Sequence, residues 1–209
     1  MELEKLSGGL YRNSFGETHE LESLCVFPLL KGSCLANGKA PKKYMLVPQR
    51  KIGQDTASLR HVAPKTWKYL LKYGELLDKR KSSIYKNKPR FSVFGIGDYT
   101  FTKWKVAIPA LYKELSFSVI GPYQDSSIVF DDTVNFIAVD SKEEAQALAM
   151  LLNSNSAKHF YRSFIFWDSK RPITVQLLKM LDIDKLSKEI GISILHEKRK
   201  RPQQLSLQT

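Results

Sequence analysis

The chain has 209 residues, 43% of them hydrophobic and 26% charged, which is typical of a globular protein. A membrane-spanning helix requires about 18 consecutive apolar residues, and every apolar run in this sequence is much shorter. The first residues are acidic and polar and do not resemble a secretory signal. The net charge of +12 is unevenly placed, since residues 42–90 hold 14 Lys or Arg against three Asp or Glu, and a basic run follows at residues 198–201. Charge segregated in this way attracts polyanions.

Cysteine and histidine usage argues against a metal site. Cys25 and Cys34 lie nine positions apart, no further cysteine completes a zinc-binding set, and the four histidines are scattered. We therefore expect no metal and a reducing, cytoplasmic location, while a disulfide between Cys25 and Cys34 stays open.

The first half of the chain predicts two short strands and one amphipathic helix. Residues 1–23 are polar and contain three glycines, so we interpret them as a linker or junction. Strands are predicted at residues 25–30 and 44–48, and Pro64 then begins a helix with basic outer faces. The predicted buried stripe of this helix consists of Trp67, Leu70, Leu71, Gly74 and Leu77.

The second half favours strands and then helices. Apolar residues recur with period two near residues 91–95 and 100–108, and further apolar runs follow at 117–120, 128–130 and 134–139. Ser141 and Glu144 form a capping box that begins a helix, and Pro172 begins another. The predicted fold class is α+β, a twisted mixed or antiparallel sheet of about five to seven short strands with packed helices. The predicted core contains Trp67, Leu71, Val106, Ile108, Val119, Val129, Phe136, Ile137, Leu148 and Leu152.

Residues 80–105 are dense in Lys, Arg and aromatic side chains, and Asp98 is the single acidic residue among them. A surface that grips phosphates and offers flat apolar groups to bases needs this mixture. We interpret residues 81–90 as a phosphate-gripping loop and residues 94–99 as a glycine turn that brings backbone close to a groove. A second aromatic and basic cluster lies at residues 164–171. The predicted nucleic-acid contacts are Arg80, Lys81, Lys86, Arg90, Gly95, Gly97, Tyr99, Lys103, Lys105, Lys170 and Arg171, with Gln49 and Asn87 as candidates for reading adenine.

Three other functions remain open from the residues alone. Asp131 or Asp132, with Asp140 and Lys142, loosely fit the pattern of a Mg²⁺-dependent nuclease, although the helix cap explains the Asp140–Lys142 region better. A single-strand or RNA binder would also use an aromatic and basic surface. A protein-interaction domain with an incidental basic face is the third alternative. No catalytic residue is predicted, because the sequence contains no phosphate loop or nucleophile elbow.

Several segments, in order between residues 24 and 190, resemble the C-terminal target-recognition region of adenine-N6 DNA methyltransferases of restriction–modification systems. The most distinctive is residues 91–101 (FSVFGIGDYTF), followed by WKVA at 104–107. The other matching segments are residues 27–33, 64–71, 77–85, 131–133, 151–154 and 170–174.

The resemblance implies a duplex-DNA-binding target-recognition domain, which we place over residues 24–196. The basic and then Gln- and Ser-rich composition of residues 197–209 predicts a disordered tail. The resemblance also implies a separate catalytic domain, joined through residues 1–23, that binds S-adenosylmethionine and carries an Asn-Pro-Pro-Tyr/Phe motif. That motif is absent from the 209 residues, so we expect this chain to hold no cofactor and to methylate nothing by itself. Its expected partners are duplex DNA and that catalytic domain.

Overall fold

The computed structural model describes residues 1–192, which divide into two compact units. The first unit contains Met1–Leu29, Pro41–Phe101 and Ser126–Val129, and the second contains Leu30–Ala40, Thr102–Asp125 and residues 130–192. Neither unit is a continuous stretch of sequence, and the target-recognition domain over residues 24–196 stays a prediction. The predicted disordered tail at 197–209 lies outside the described residues.

Short strands make two sheets within residues 1–192. The strands are β1 Glu2–Lys5, β2 Leu10–Asn13, β3 Thr18–Glu20, β4 Val26–Leu30, β5 Lys43–Leu46, β6 Trp104–Pro109, β7 Ser118–Ile120, β8 Val129–Phe130 and β9 Val134–Val139. The larger sheet has the order β3-β2-β1-β5-β4-β8 and the smaller the order β7-β6-β9. The pairs β1–β2, β2–β3, β1–β5, β4–β5, β6–β7 and β6–β9 are all antiparallel.

Helices accompany both sheets, which confirms the predicted α+β class, although the strands form two sheets where one was expected. The α-helices are α1 Gly32–Ala36, α2 Leu59–Val62, α3 Pro64–Lys72, α4 Gly74–Asp78, α5 Lys142–Leu152, α6 Asn155–Arg162, α7 Val175–Lys179 and α8 Ile183–Ile190. Three single 3₁₀ turns lie at Ser23–Cys25, Ser83–Tyr85 and Asp98–Phe101. No helix within residues 1–192 is both long and apolar enough to span a membrane. The two cysteines are free.

Residues 1–23 are folded rather than a loose linker, because they supply β1, β2 and β3. Leu3 and Tyr11 are buried in the core of the first unit. The Asn13 side-chain oxygen accepts hydrogen bonds from the backbone N–H groups of Phe15 and Glu17, both at 3.0 Å, and so fixes the turn between β2 and β3. The role of this segment as the junction to a further domain stays a prediction.

Helix α3 buries a stripe displaced by one position from the predicted one. Thr66, Tyr69 and Leu70 are buried, whereas Leu71 is 48% exposed. The Glu22 carboxylate explains the displacement, since it accepts hydrogen bonds from the N–H groups of Lys65 and Thr66 and from the Thr66 hydroxyl, at 2.9, 2.8 and 2.6 Å. These bonds satisfy free N–H groups of the first helical turn and turn Thr66 inward.

The second unit is built on β6, the central strand of the smaller sheet, with α5 as its main helix. Ser141 Oγ accepts the Glu144 N–H at 3.0 Å, as the capping box predicts. Four predicted core residues are fully buried here, namely Val106, Ile108, Leu148 and Leu152, and Val129 is fully buried in the first unit. Trp67, Val119, Phe136 and Ile137 are only partly buried.

Candidate nucleic-acid interface

Residues 86–103 form a loop of turns and one 3₁₀ turn, although period two had predicted strands near residues 91–95 and from residue 100 onward. Phe91 is fully buried with a φ of 68°, an angle that no strand contains. Side chains from elsewhere in the first unit hold the backbone near Phe91. Thr56 Oγ1 donates a hydrogen bond to the Arg90 carbonyl. The Gln49 amide donates to the Val93 carbonyl at 2.7 Å and accepts from the Val93 N–H at 2.8 Å. The alternation of apolar residues here reflects a loop packed on the first unit.

Residues 80–90 and the end of α4 line a surface depression of about 310 Å³ in the first unit. We call it the basic concavity. Asp78 is the only acidic residue among those that line it. Its basic lining residues are Arg80, Lys81, Lys86, Lys88 and Arg90. Four of these five were predicted contacts, so the structure gathers the predicted phosphate-gripping loop into one place.

Arg80 is part of the wall of the basic concavity. Its guanidinium donates to the Leu77 carbonyl at 2.7 Å and to the Ser92 carbonyl at 2.8 Å. It also lies over the Tyr85 ring, 3.9 Å from the ring centroid. Because Arg80 ties the end of α4 to the loop, it stabilises the shape of the concavity.

Lys81, Lys86 and Lys88 are the unneutralised charges of the basic concavity. All three side chains are exposed, and within residues 1–192 none has an ion-pair partner. Arg90 differs from them, since it is bound to Asp78 through Nε and Nη2. The concavity therefore presents three free ammonium groups and one oriented guanidinium.

The predicted glycine turn is used within the chain itself. Gly95 has a φ of 74°, and its carbonyl accepts the Tyr99 hydroxyl at 2.7 Å. A Cβ added to Gly97 would lie 2.6 Å from the ring of Tyr99. The positive φ of Gly95 and the close packing of Tyr99 on Gly97 account for both glycines within the chain itself.

The remaining predicted contacts lie in the second unit. Lys103 and Lys170 are exposed, and Arg171 forms an ion pair with Asp132 at 3.0 Å. Lys105 is only 1% exposed and its ammonium donates to the Thr102 carbonyl at 2.5 Å.

Two predicted contacts are corrected by burial. Removal of the Lys105 side chain from water lowers the pKa of its ammonium to about 8, and the group is enclosed where no phosphate can reach it. Gln49 is 3% exposed and has both ends of its amide bound to Val93, so it has no free group for reading adenine. Asn87 is exposed.

The nuclease alternative finds no support in the arrangement of its carboxylates. Asp131 and Asp132 precede β9 and Asp140 follows it, and a six-residue strand separates its ends by about 20 Å. Asp131 accepts hydrogen bonds from Thr133, and Asp132 pairs with Arg171. Within residues 1–192 no group of three or more His, Cys, Asp or Glu side chains could hold a metal ion.

Sequence reasoning missed the place of Asp78 in this site. Asp78 is twelve residues before Arg90, at the end of a helix, and a single acidic residue at that position gives no signal of a partner across a loop. The backbone beside Arg90 is fixed by the positive φ of Phe91 and by the Thr56 hydrogen bond, neither of which a pattern of residue types predicts.

Comparison with known proteins gives one informative similarity. No family model matches the chain. Over 192 residues, the chain is 48% identical to the Type II methyltransferase M.NspV of Nostoc sp. (strain ATCC 29411 / PCC 7524). The aligned region covers 91% of this chain and 40% of the relative, so the chain spans less than half of that enzyme's length. The similarity supports a methyltransferase-related role in restriction–modification.

Proposed function

We propose that this chain is the target-recognition part of an adenine-N6 DNA methyltransferase of a restriction–modification system, and that it binds duplex DNA through the basic concavity. The observation that carries the proposal is the group of free ammonium groups at Lys81, Lys86 and Lys88 beside an oriented Arg90. The similarity to part of a type II methyltransferase supports DNA as the polyanion that this site meets.

The chemistry of the basic concavity suits contact with a phosphate backbone. Lysine ammonium groups on flexible stems act as point charges and release condensed counterions when they meet phosphates. The backbone that carries these lysines is held by the hydrogen bonds from Arg80 to the Leu77 and Ser92 carbonyls. The flexible lysine side chains therefore project from a fixed backbone. The lysine contacts bind a phosphate backbone without reading its sequence.

Methyl transfer belongs to a separate catalytic domain in this proposal. S-adenosylmethionine would supply the methyl group there, and the residues of this chain do not fit that cofactor. Six of the seven neighbouring strand pairs within residues 1–192 are antiparallel, whereas a Rossmann-like domain is built on parallel βαβ units. The sequence also lacks the Asn-Pro-Pro-Tyr/Phe motif. This chain would hold the duplex while the catalytic domain takes the target adenine out of the stack.

The test is a titration of a fluorescent duplex with the 209-residue chain over a series of salt concentrations. Replacing Lys81, Lys86 and Lys88 together by Gln should weaken binding and reduce the slope of log affinity against log salt by about 2.7, since each phosphate contact contributes about 0.9. The matched control replaces the exposed Lys179, Lys185 and Lys188 by Gln, which removes the same charge from α7 and α8.

Two results would contradict the proposal. One is a wild-type affinity for duplex that does not depend on salt, and the other is an equal loss of slope in the control variant. A competition in which single strands displace the duplex at lower concentration would favour the single-strand binder instead.

A further inference from the structure

Arg90 is bound along one edge only. Its Nε lies 3.1 Å from each carboxylate oxygen of Asp78, and its Nη2 lies 2.6 Å from Oδ2. These contacts use the side edge of the guanidinium. Nη1 has no hydrogen-bond partner within residues 1–192, so the end of the fork, made by Nη1 and the second hydrogen of Nη2, is available.

The orientation of Arg90 is also fixed from other directions. Gly74 leaves room for the guanidinium, since a Cβ there would lie 2.8 Å from Nη2. The Arg90 carbonyl is bound by Thr56, and the next residue, Phe91, is fully buried beneath the guanidinium, whose Cζ lies 4.7 Å from the ring centroid. Arg90 is thus fixed by the Thr56 hydrogen bond to its backbone, by the Phe91 ring against its guanidinium and by its ion pair with Asp78.

The two arginines of the basic concavity differ in what they leave free. Arg80 has its Nε and Nη1 bound to backbone carbonyls of its own chain, and one face covers Tyr85. Arg90 has its ion pair on the surface, with 53% of the side chain exposed. If Asp78 only neutralised Arg90, it would weaken the attraction of the basic concavity for anions. Because Asp78 also orients the guanidinium, it leaves two N–H donors in a fixed position among the lysines.

We propose that Arg90 reads a guanine base through its free fork, and that Asp78 is a positioning residue that holds the fork for this purpose. The proposal rests on the proposed function, since it assigns a base contact to the same concavity. Guanine presents O6 and N7 in the major groove as two acceptors that match a guanidinium fork. The three free lysines bind the backbone in this arrangement, and Arg90 supplies sequence preference.

The experiment selects preferred sequences from a randomised duplex pool with the 209-residue chain and measures the affinity of the selected duplex against its single-base variants. Wild type should prefer guanine at one position by about 5- to 150-fold. Arg90→Lys keeps the charge and removes the fork, so preference at that position should be lost while the slope against salt stays the same. Arg12→Lys, at an exposed arginine of the same unit, is the matched control and should retain the preference.

Asp78→Asn tests whether Asp78 orients Arg90, only neutralises its charge, or only stabilises the fold. Removing a negative charge from the concavity should leave affinity for unrelated duplex equal or higher, and loss of the ion pair should lower the guanine preference. A merely structural role would instead lower the unfolding temperature and weaken binding to every sequence alike.

Three outcomes decide between the claims. Absence of duplex binding would overturn the proposed function itself. Binding without sequence preference, or a guanine preference unchanged in Arg90→Lys, would overturn the assignment of Arg90 and leave duplex binding standing. A guanine preference unchanged in Asp78→Asn would overturn the positioning role.

Discussion

Lys105 illustrates how much of a side chain's role depends on its surroundings. In the sequence it follows Trp104 in a basic stretch, and it has the same composition around it as exposed Lys103. In the structure it lies on the central strand β6 and is 1% exposed, with its ammonium bound to the Thr102 carbonyl. Burial disfavours the charged form, and this is why the pKa of Lys105 falls from 10.5 to about 8.

The lowered pKa gives Lys105 a definite effect on stability. The unfolded chain binds this proton more tightly than the folded one, so stability should rise as pH increases from about 8 towards 10.5. Below about pH 8 both states are protonated and the whole penalty is present, roughly 3 kcal/mol for a pKa difference of this size.

Lys105→Met should therefore be more stable than wild type at pH 7. Removal of the buried charge should contribute up to roughly 3 kcal/mol, and loss of the hydrogen bond to Thr102 should offset about 1 kcal/mol of that gain. The advantage should shrink at pH 10. Urea unfolding of both proteins at the two pH values measures it, with Lys103→Met as the exposed neighbour that should show no such trend. A stability difference that is the same at pH 7 and pH 10 would be inconsistent with a buried, destabilised ammonium.

At the scale of elements, α3 shows how a distant side chain sets a helix. Glu22 precedes the helix by more than forty residues, yet its carboxylate caps the first turn and determines that Thr66 faces inward. Burial raises the pKa of Glu22, but the hydrogen bonds from Thr66 and Lys65 favour the charged form and together lower it below its ordinary value.

Glu22→Gln should destabilise the chain at pH 7 by about 1 kcal/mol, the usual cost of losing a helix cap. A depressed carboxyl pKa contributes stability above the unfolded value, near 4.5, and loses it as pH falls through the folded value. The difference between wild type and variant should therefore be present at pH 7 and largely absent near pH 3. Thermal unfolding at both pH values tests this, and the exposed Glu4→Gln should behave as wild type at both.

Local signals in the sequence predicted the elements that local chemistry creates. The capping box of α5 depends on Ser141 and Glu144 three positions apart, and it was found from that spacing. Within the loop at residues 86–103, strands were predicted near residues 91–95 and from residue 100 onward, because alternating apolar residues occur in strands and in packed loops alike. The real conformation of the loop depends on Gln49 and Thr56, which lie more than thirty residues away. Residues 1–23 were underestimated because β1 and β2 each bury only one or two side chains.

For the whole molecule, the uneven charge was the most useful property of the sequence. It predicts a polyanion partner, and four of the eleven predicted contacts line the basic concavity. The charge pattern did not distinguish the different roles of the individual Lys and Arg side chains. Three lysines are free, Arg80 builds the wall and Arg90 is oriented by Asp78, and these distinctions depend on contacts between residues up to twelve positions apart.

The central claim is that duplex DNA contacts the basic concavity, and lysine acetylation followed by mass spectrometry tests it most directly. The chain is treated with a limiting acylating reagent, with and without a saturating duplex, and the modification of each lysine is compared. We expect Lys81, Lys86 and Lys88 to become several-fold less reactive with DNA, while Lys179, Lys185 and Lys188 react as before. Unchanged reactivity at residues 81–88 together with protection of lysines elsewhere would contradict the account.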